Sequence, residues 1–160
     1  MNNRYICKAK RKDNGEWIEG LFSIRNFAGR EYYAIERREK RLLSRISCDS
    51  QWTMQPYEVI PETVRQCTTL TDKNGKLIFT GDILHIKTGK GWTCPVGTDI
   101  YYKVVFTEFN EQCNACTEYI GFMADNIHDD EYSIQYLVRA YGAEVVGNVY
   151  DNPELLEVER

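Results

Sequence analysis

Residues 71–83 read TDKNGKLIFTGDI, and the fold depends on this stretch. The pair Asn74-Gly75 predicts a tight turn, because both residue types tolerate the positive φ angles that such a turn requires. The alternating apolar residues that follow predict a strand, within which Gly81 predicts a bend or bulge. A tight turn, a Gly-Asp pair and an alternating strand are typical of small Greek-key and SH3-like barrels.

The same turn signal occurs near the start of the chain. Asn14-Gly15 lies between a short run at residues 4–10 and a strand-like run at residues 17–24, which predicts a β-hairpin. Pro56 makes the run that contains it an edge strand, because proline cannot donate a hydrogen bond to a second neighbouring strand. The strands predicted beyond this hairpin lie at residues 31–36, 55–60, 77–86, 101–107, 118–123 and 143–150.

One amphipathic helix is predicted over residues 129–141. Its apolar residues recur at intervals of three and four positions, so they share one face of a helix. Asp129 or Asp130 is the predicted N-cap, and Gly142 is the predicted stop.

These elements predict a mainly β protein with minor α content. We expect two small β-rich units, residues 1–66 and residues 67–160, the second a partly open SH3-like or Greek-key barrel with the one short helix. The length of 160 residues suits one ordinary domain or two small ones. A hydrophobic fraction of 42% excludes a disordered chain.

The charge of the chain is divided unevenly. Residues 1–50 hold 12 basic and 7 acidic residues, a net charge of +5, whereas residues 51–160 hold 8 basic and 17 acidic residues, a net charge of −9. Surfaces of opposite sign on one molecule favour contacts between identical chains, so we expect a homo-oligomer.

The cytoplasm is the expected location. The N-terminal residues are charged from Arg4 onward and lack the apolar core of a signal peptide. No apolar run approaches the roughly 20 residues that span a bilayer, so we expect no membrane contact. The six cysteines are therefore expected to be reduced thiols rather than a disulfide framework.

Three stretches of the chain resemble the YopX family of phage and prophage proteins. They are residues 10–20, residues 59–64 continued by 70–83, and residues 144–155. The chain departs from the family at residues 67–70, which read CTTL where members often read a YTGL-like run. The resemblance implies a small, mainly β protein that is encoded by a phage or prophage and acts in the cytoplasm of a bacterial host. It also implies a host or phage protein as the other expected partner. It implies no catalytic or binding residue.

A C-x-x-C motif at Cys113 and Cys116 suggests zinc, because two thiolates at this spacing supply half of a tetrahedral site. Cys94 with His85 or His128 are the candidates for the other two ligands. No second motif of this kind accompanies it, so two free thiols at a hairpin tip, or a redox dithiol, are the alternatives.

A basic segment with neighbouring aromatic residues lies within residues 30–52. Basic and aromatic side chains together suit a nucleic acid, because the cations contact phosphates and the rings stack on bases. The sequence pI of about 5.3 and the acids Glu36 and Glu39 weaken this interpretation. Over residues 36–45 the alternatives are a helical turn, a charged hairpin or a loop. The candidate binding residues are Arg37, Arg38, Lys40, Arg41 and Arg45.

We therefore predict no catalytic residue and no cofactor. The leading hypothesis is a non-enzymatic accessory protein that acts through protein contacts and self-association. The alternative is a nucleic-acid-binding regulator that uses residues 30–52.

Overall fold

The computed structural model describes residues 5–40, 52–89, 95–109, 119–125 and 131–157. It divides the chain into two compact units, Met1–Cys67 and Thr68–Arg160, called unit 1 and unit 2 below. The described residues are mainly antiparallel strand with one α-helix, which confirms the predicted fold class.

Unit 1 is built from an antiparallel sheet. The strand order is β4-β3-β2-β1-β5, and the first residues of β5 pair with β1. A short 3-10 turn at Pro61–Thr63 precedes β5. The bounds are β1 Ile6–Lys10, β2 Trp17–Phe27, β3 Arg30–Lys40, β4 Trp52–Glu58 and β5 Arg65–Thr71.

One face of this sheet forms the core of unit 1. Ala9 lies opposite Ile18, and Ile35 lies opposite Phe22, so alternate residues of three strands meet on the same side. Ala9, Ile18 and Ile35 are buried together with Val59.

The β1–β2 turn differs in detail from the prediction. Of the pair Asn14-Gly15, only Gly15 has a positive φ, at 72°. The N–H of Gly15 donates to the Arg11 carbonyl at 3.0 Å, and the Asn14 side chain accepts from the N–H of Glu16 at 3.0 Å. The hairpin is confirmed, but its loop is longer than a two-residue turn, so only its last residue needs the left-handed conformation.

The basic segment continues as strand. β3 runs to Lys40, and residues 37–40 pair in register with residues 52–55 of β4. A helical turn is therefore wrong for residues 36–40, where the hairpin alternative is confirmed. β4 is an edge strand of the sheet and contains Pro56, as predicted.

Unit 2 contains a second antiparallel sheet, of five strands in the order β10-β9-β8-β7-β11. Its residues also include the end of β5, which is followed by β6, and a 3-10 turn at Pro153–Leu156. The bounds are β6 Leu77–Phe79, β7 Asp82–Lys87, β8 Asp99–Phe109, β9 Tyr119–Asp125, β10 Glu131–Ser133, α1 Ile134–Tyr141 and β11 Glu144–Asn148.

Helix α1 is shorter than predicted. It begins after Ser133, whose side chain accepts from the N–H of Tyr136 at 3.2 Å, so the prediction of an aspartate cap is wrong. Residues 131–133 pair with β9 instead, and Tyr132 packs edge-on against Tyr102. Gly142 ends the helix at a φ of 63°, as predicted. Helix α1 supplies Ile134 and Leu137 to the core of unit 2.

The side chains of the opening stretch bind the backbone of their own unit. Asp72 is 5% exposed and accepts from the N–H groups of Asn74, Lys76 and Val145 at 2.8, 2.9 and 3.0 Å. The carboxylate thereby closes the turn and connects it to β11.

Gly81 makes the predicted bend, with a φ of 75°, and separates β6 from β7. Its N–H donates to the Val104 carbonyl at 2.7 Å, and its carbonyl accepts from the Val149 N–H at 2.9 Å. The Asp82 side chain accepts from the Phe79 N–H at 2.7 Å. Gly81 and Asp82 therefore also stabilise the fold of their own unit.

Thr69 has a φ of 67°. A β-branched residue in the left-handed region costs about 1 kcal/mol or more relative to glycine. We therefore expect Thr69→Gly to stabilise the protein by roughly 1 kcal/mol, raising its Tm by about 4 °C. Thr71→Gly, in the same strand at an ordinary φ, should lower the Tm. Thermal unfolding followed by circular dichroism measures both, and an equal loss in the two variants would contradict the argument.

Candidate functional site

A basic and aromatic cluster lies on the face of the unit 1 sheet opposite its core. Lys10 is the cross-strand partner of Trp17, and Lys8 is the cross-strand partner of both Glu19 and Arg65. Directly opposite residues on neighbouring strands point to the same side, so these side chains meet. We call the five residues the Trp17 face.

Three cations surround the Trp17 ring. The Nζ atoms of Lys8 and Lys10 lie 6.0 and 5.4 Å from the ring centroid, and the Arg65 guanidinium carbon lies 5.1 Å from it. Each such contact contributes about 0.5–2 kcal/mol, more when the cation is desolvated. Arg65 is only 2% exposed and is therefore buried beside the Trp17 ring. Lys8 also pairs with Glu19 at 3.1 Å.

Acidic side chains of unit 1 are held by its own cations. Besides Glu19, the described ion pairs engage Asp13, Glu36 and Glu58. The Arg25 guanidinium, 2.5 Å from Glu36, holds the pKa of that carboxyl below its usual value. Exposed pairs of this kind contribute little to stability, but they cancel negative charge locally. Because basic residues outnumber acidic residues in unit 1, the net charge of this unit is positive.

The predicted binding residues lie elsewhere or outside the described residues. Arg37 is exposed on β3, and Arg38 and Lys40 belong to the same strand. Arg41 and Arg45 lie outside the described residues. The cluster that the structure does form, around Trp17, was not predicted. The opposition of Lys10 and Trp17 across the Asn14-Gly15 hairpin was the available signal in the sequence.

The zinc candidates are mostly outside the described residues. Cys113, Cys116, Cys94 and His128 fall there, so the zinc site stays a prediction. Within residues 5–40, 52–89, 95–109, 119–125 and 131–157, no group of three or more His, Cys, Asp or Glu side chains is placed to hold a metal ion. In the same ranges Cys7 and Cys67 are not in a disulfide, and burial raises the pKa of the Cys7 thiol.

His85 lies between two carboxylates on unit 2. Its Nε2 is 2.7 Å from Asp99 Oδ1, and its Nδ1 is 3.6 Å from Glu144 Oε1. His85 is on β7, whereas Asp99 begins β8 and Glu144 begins β11, so the imidazole links β7 to both neighbouring strands. Lys73 Nζ lies 2.9 Å from Glu144 and completes the cluster.

Both carboxyl groups in this cluster favour their ionised form. The hydrogen bond from His85 lowers the pKa of Asp99, and the hydrogen bond from Lys73 is the main cause of the lowered pKa of Glu144. Because the His85 Nε2 is engaged by Asp99 and its Nδ1 faces Glu144, the imidazole acts as a cross-strand link. A general base would need a nitrogen directed at a substrate.

None of the helices in the described ranges has both the length and the apolar character needed to cross a membrane.

The fold and its surfaces define a small two-unit β protein with a basic face on one unit and a histidine–carboxylate link on the other. A family model described as "YopX protein" matches residues 23–157. The chain therefore belongs to the YopX family, as its resemblance indicated.

A solved structure is similar to the chain. It is that of protein EF1440 from Enterococcus faecalis, which is 22% identical, with 94% of this chain and 96% of that chain covered at a TM-score of 0.43. No curated protein matches the chain.

Proposed function

We propose that the protein is a non-enzymatic accessory protein, encoded by a phage or prophage, that acts in the bacterial cytoplasm through protein contacts and self-association. The observation that carries this proposal is the charge division between the units. Unit 1 holds 13 basic and 9 acidic residues, a net charge of +4, and unit 2 holds 7 basic and 15 acidic residues, a net charge of −8. Complementary surfaces of this kind direct association between identical chains.

The use of the motif side chains also supports a binding role. Asp72 and Asp82 bind backbone N–H groups of their own unit, and His85 links three strands. These three titratable groups are therefore engaged in holding the fold. A role in binding places the function on exposed surfaces instead.

Self-association is expected to depend on salt. At micromolar protein concentration in about 20 mM salt, light scattering after size exclusion should give the mass of at least two chains of 18.7 kDa each. In about 500 mM salt the mass should fall, because the Debye length shortens from roughly 20 Å to roughly 4 Å. A monomer in both buffers, or an oligomer indifferent to salt, would contradict the proposal.

The phage origin has its own test. The neighbouring genes should belong to a phage replication, lysogeny or packaging cluster. Neighbours that are all ordinary chromosomal genes would count against this part of the proposal.

A further inference from the structure

We propose that the Trp17 face of one copy binds the acidic segment of residues 150–157 in a second copy. This inference rests on the proposed self-association and names the two surfaces that make it. The first surface consists of three cations, one acid and one indole ring. It presents the indole ring of Trp17 beside the ammonium groups of Lys8 and Lys10.

The second surface has the complementary composition. Residues 150–157 read YDNPELLE and contain three acids and no basic residue. Asp151, Glu154 and Glu157 are all exposed, and Tyr150 is 39% exposed beside them. An aromatic ring next to carboxylates suits an indole next to ammonium groups, through both ion pairs and ring contact.

The acidic segment is also held in a defined shape. The Asn148 side-chain oxygen accepts from the N–H groups of Tyr150 and Asp151, at 3.0 and 3.1 Å. The Asn152 N–H donates to the Asn148 carbonyl at 2.9 Å, and Pro153 then begins a 3-10 turn. A segment ordered before binding loses less conformational entropy when it binds.

A second copy suits the Trp17 face better than a nucleic acid does. The whole chain carries a net charge of −4, and unit 2 carries −8, so a polyanion is repelled by most of the molecule. Arg65 is 2% exposed, so Lys8 and Lys10 are left to contact any occupant, and two cations are few for a phosphate strand. An acidic segment that is short and carries its own aromatic ring needs only the two lysines and the indole.

Charge reversal on each surface tests the inference. Lys8→Glu/Lys10→Glu and, separately, Glu154→Lys/Glu157→Lys should each weaken self-association in low salt at least about tenfold. An equimolar mixture of the two variants should recover the oligomer, because the reversed surfaces are again complementary. The control Lys12→Glu/Arg30→Glu changes the charge of unit 1 equally at exposed positions outside the Trp17 face, and it should associate like the wild type.

The outcomes separate this inference from the proposed function. If the wild type associates but Lys8→Glu/Lys10→Glu does so equally well, or if the control is weakened as much, the inference is wrong and self-association stands. If the wild type is a monomer, both fail. Lys8→Gln/Lys10→Gln replaces the reversal if circular dichroism shows that the reversed variant is unfolded.

A titration with labelled oligothymidine tests the competing occupant. In about 20 mM salt, we expect no oligothymidine binding that depends on Lys8 and Lys10. Binding that the Lys8→Glu/Lys10→Glu variant loses would assign the Trp17 face to a nucleic acid and overturn the inference.

Discussion

Gly20→Ala is expected to destabilise unit 1 by roughly 3 kcal/mol, a large effect for a single methyl group. A Cβ atom at Gly20 would fall on the backbone carbonyl oxygen of Glu36 and lie 2.9 Å from the Ile35 Cγ2 atom. The obstacle is the backbone of a paired central strand, so a rotamer change cannot relieve it. The Tm of the unit should fall by about 10 °C or more.

A matched control isolates the steric cause. A methyl group at Gly89 would meet no heavy atom within 4 Å, and the φ of this residue is ordinary, so Gly89→Ala should leave the Tm within about 3 °C of the wild type. Thermal unfolding followed by circular dichroism compares the two. Equal stability of Gly20→Ala and the wild type would show that β2 and β3 do not approach as closely as described.

Asp72→Ala is expected to cost about 3 kcal/mol in unit 2. The substitution removes the acceptor of three backbone N–H groups, and one of them, on Val145, belongs to a strand far along the chain. Hydrogen bonds to a buried charged acceptor contribute about 1.5–3 kcal/mol each, although the loosened turn will recover part of this from water. Asp151→Ala, at an exposed carboxylate of the same unit, is the control and should cost less than about 1 kcal/mol.

The Asp72 contribution should also depend on pH. Burial alone raises the pKa of Asp72, but the N–H groups of Val145, Lys76 and Asn74 outweigh it, so the pKa lies below its usual value. A carboxyl group with a lowered folded-state pKa adds stability above its unfolded pKa and loses it as the pH falls through the folded one. The difference in unfolding free energy between the wild type and Asp72→Ala should therefore shrink below about pH 4. Urea unfolding at several pH values measures it, and a constant difference would contradict the assignment.

The local features of the fold were predictable from the sequence. Gly15, Gly81 and Gly142 stand where the backbone needs a positive φ, and Pro56 stands on an edge strand. Each of these positions is decided by the residue's own conformational preference. A sequence carries that information without reference to distant partners.

The features that were mispredicted depend on distant pairing. Residues 131–133 carry a helical pattern and two candidate caps before them, but pairing with β9 and the contact between Tyr132 and Tyr102 make them a strand. β3 likewise extends to Lys40 because β4 begins at Trp52 and pairs with it. Tertiary contacts override local preference at such positions.

The Trp17 face was predictable from the sequence only in part. Lys10 and Trp17 follow from the register of one hairpin and could be read locally. Arg65 reaches the same ring only because β5 pairs with β1, and no spacing along the chain reveals that pairing.

The hydrogen bonds of Asp72, Gly81 and Asp82 have a consequence for how relatives of this protein are compared. These residues lie in the most distinctive part of the sequence, and they act on the backbone of their own unit. A search built on that motif therefore collects proteins that share an architecture, whatever each of them binds. Relatives should instead be sorted by the half-buried lysines of β1 and by the exposed residues after β11, where two proteins of identical architecture are free to diverge in their choice of partner.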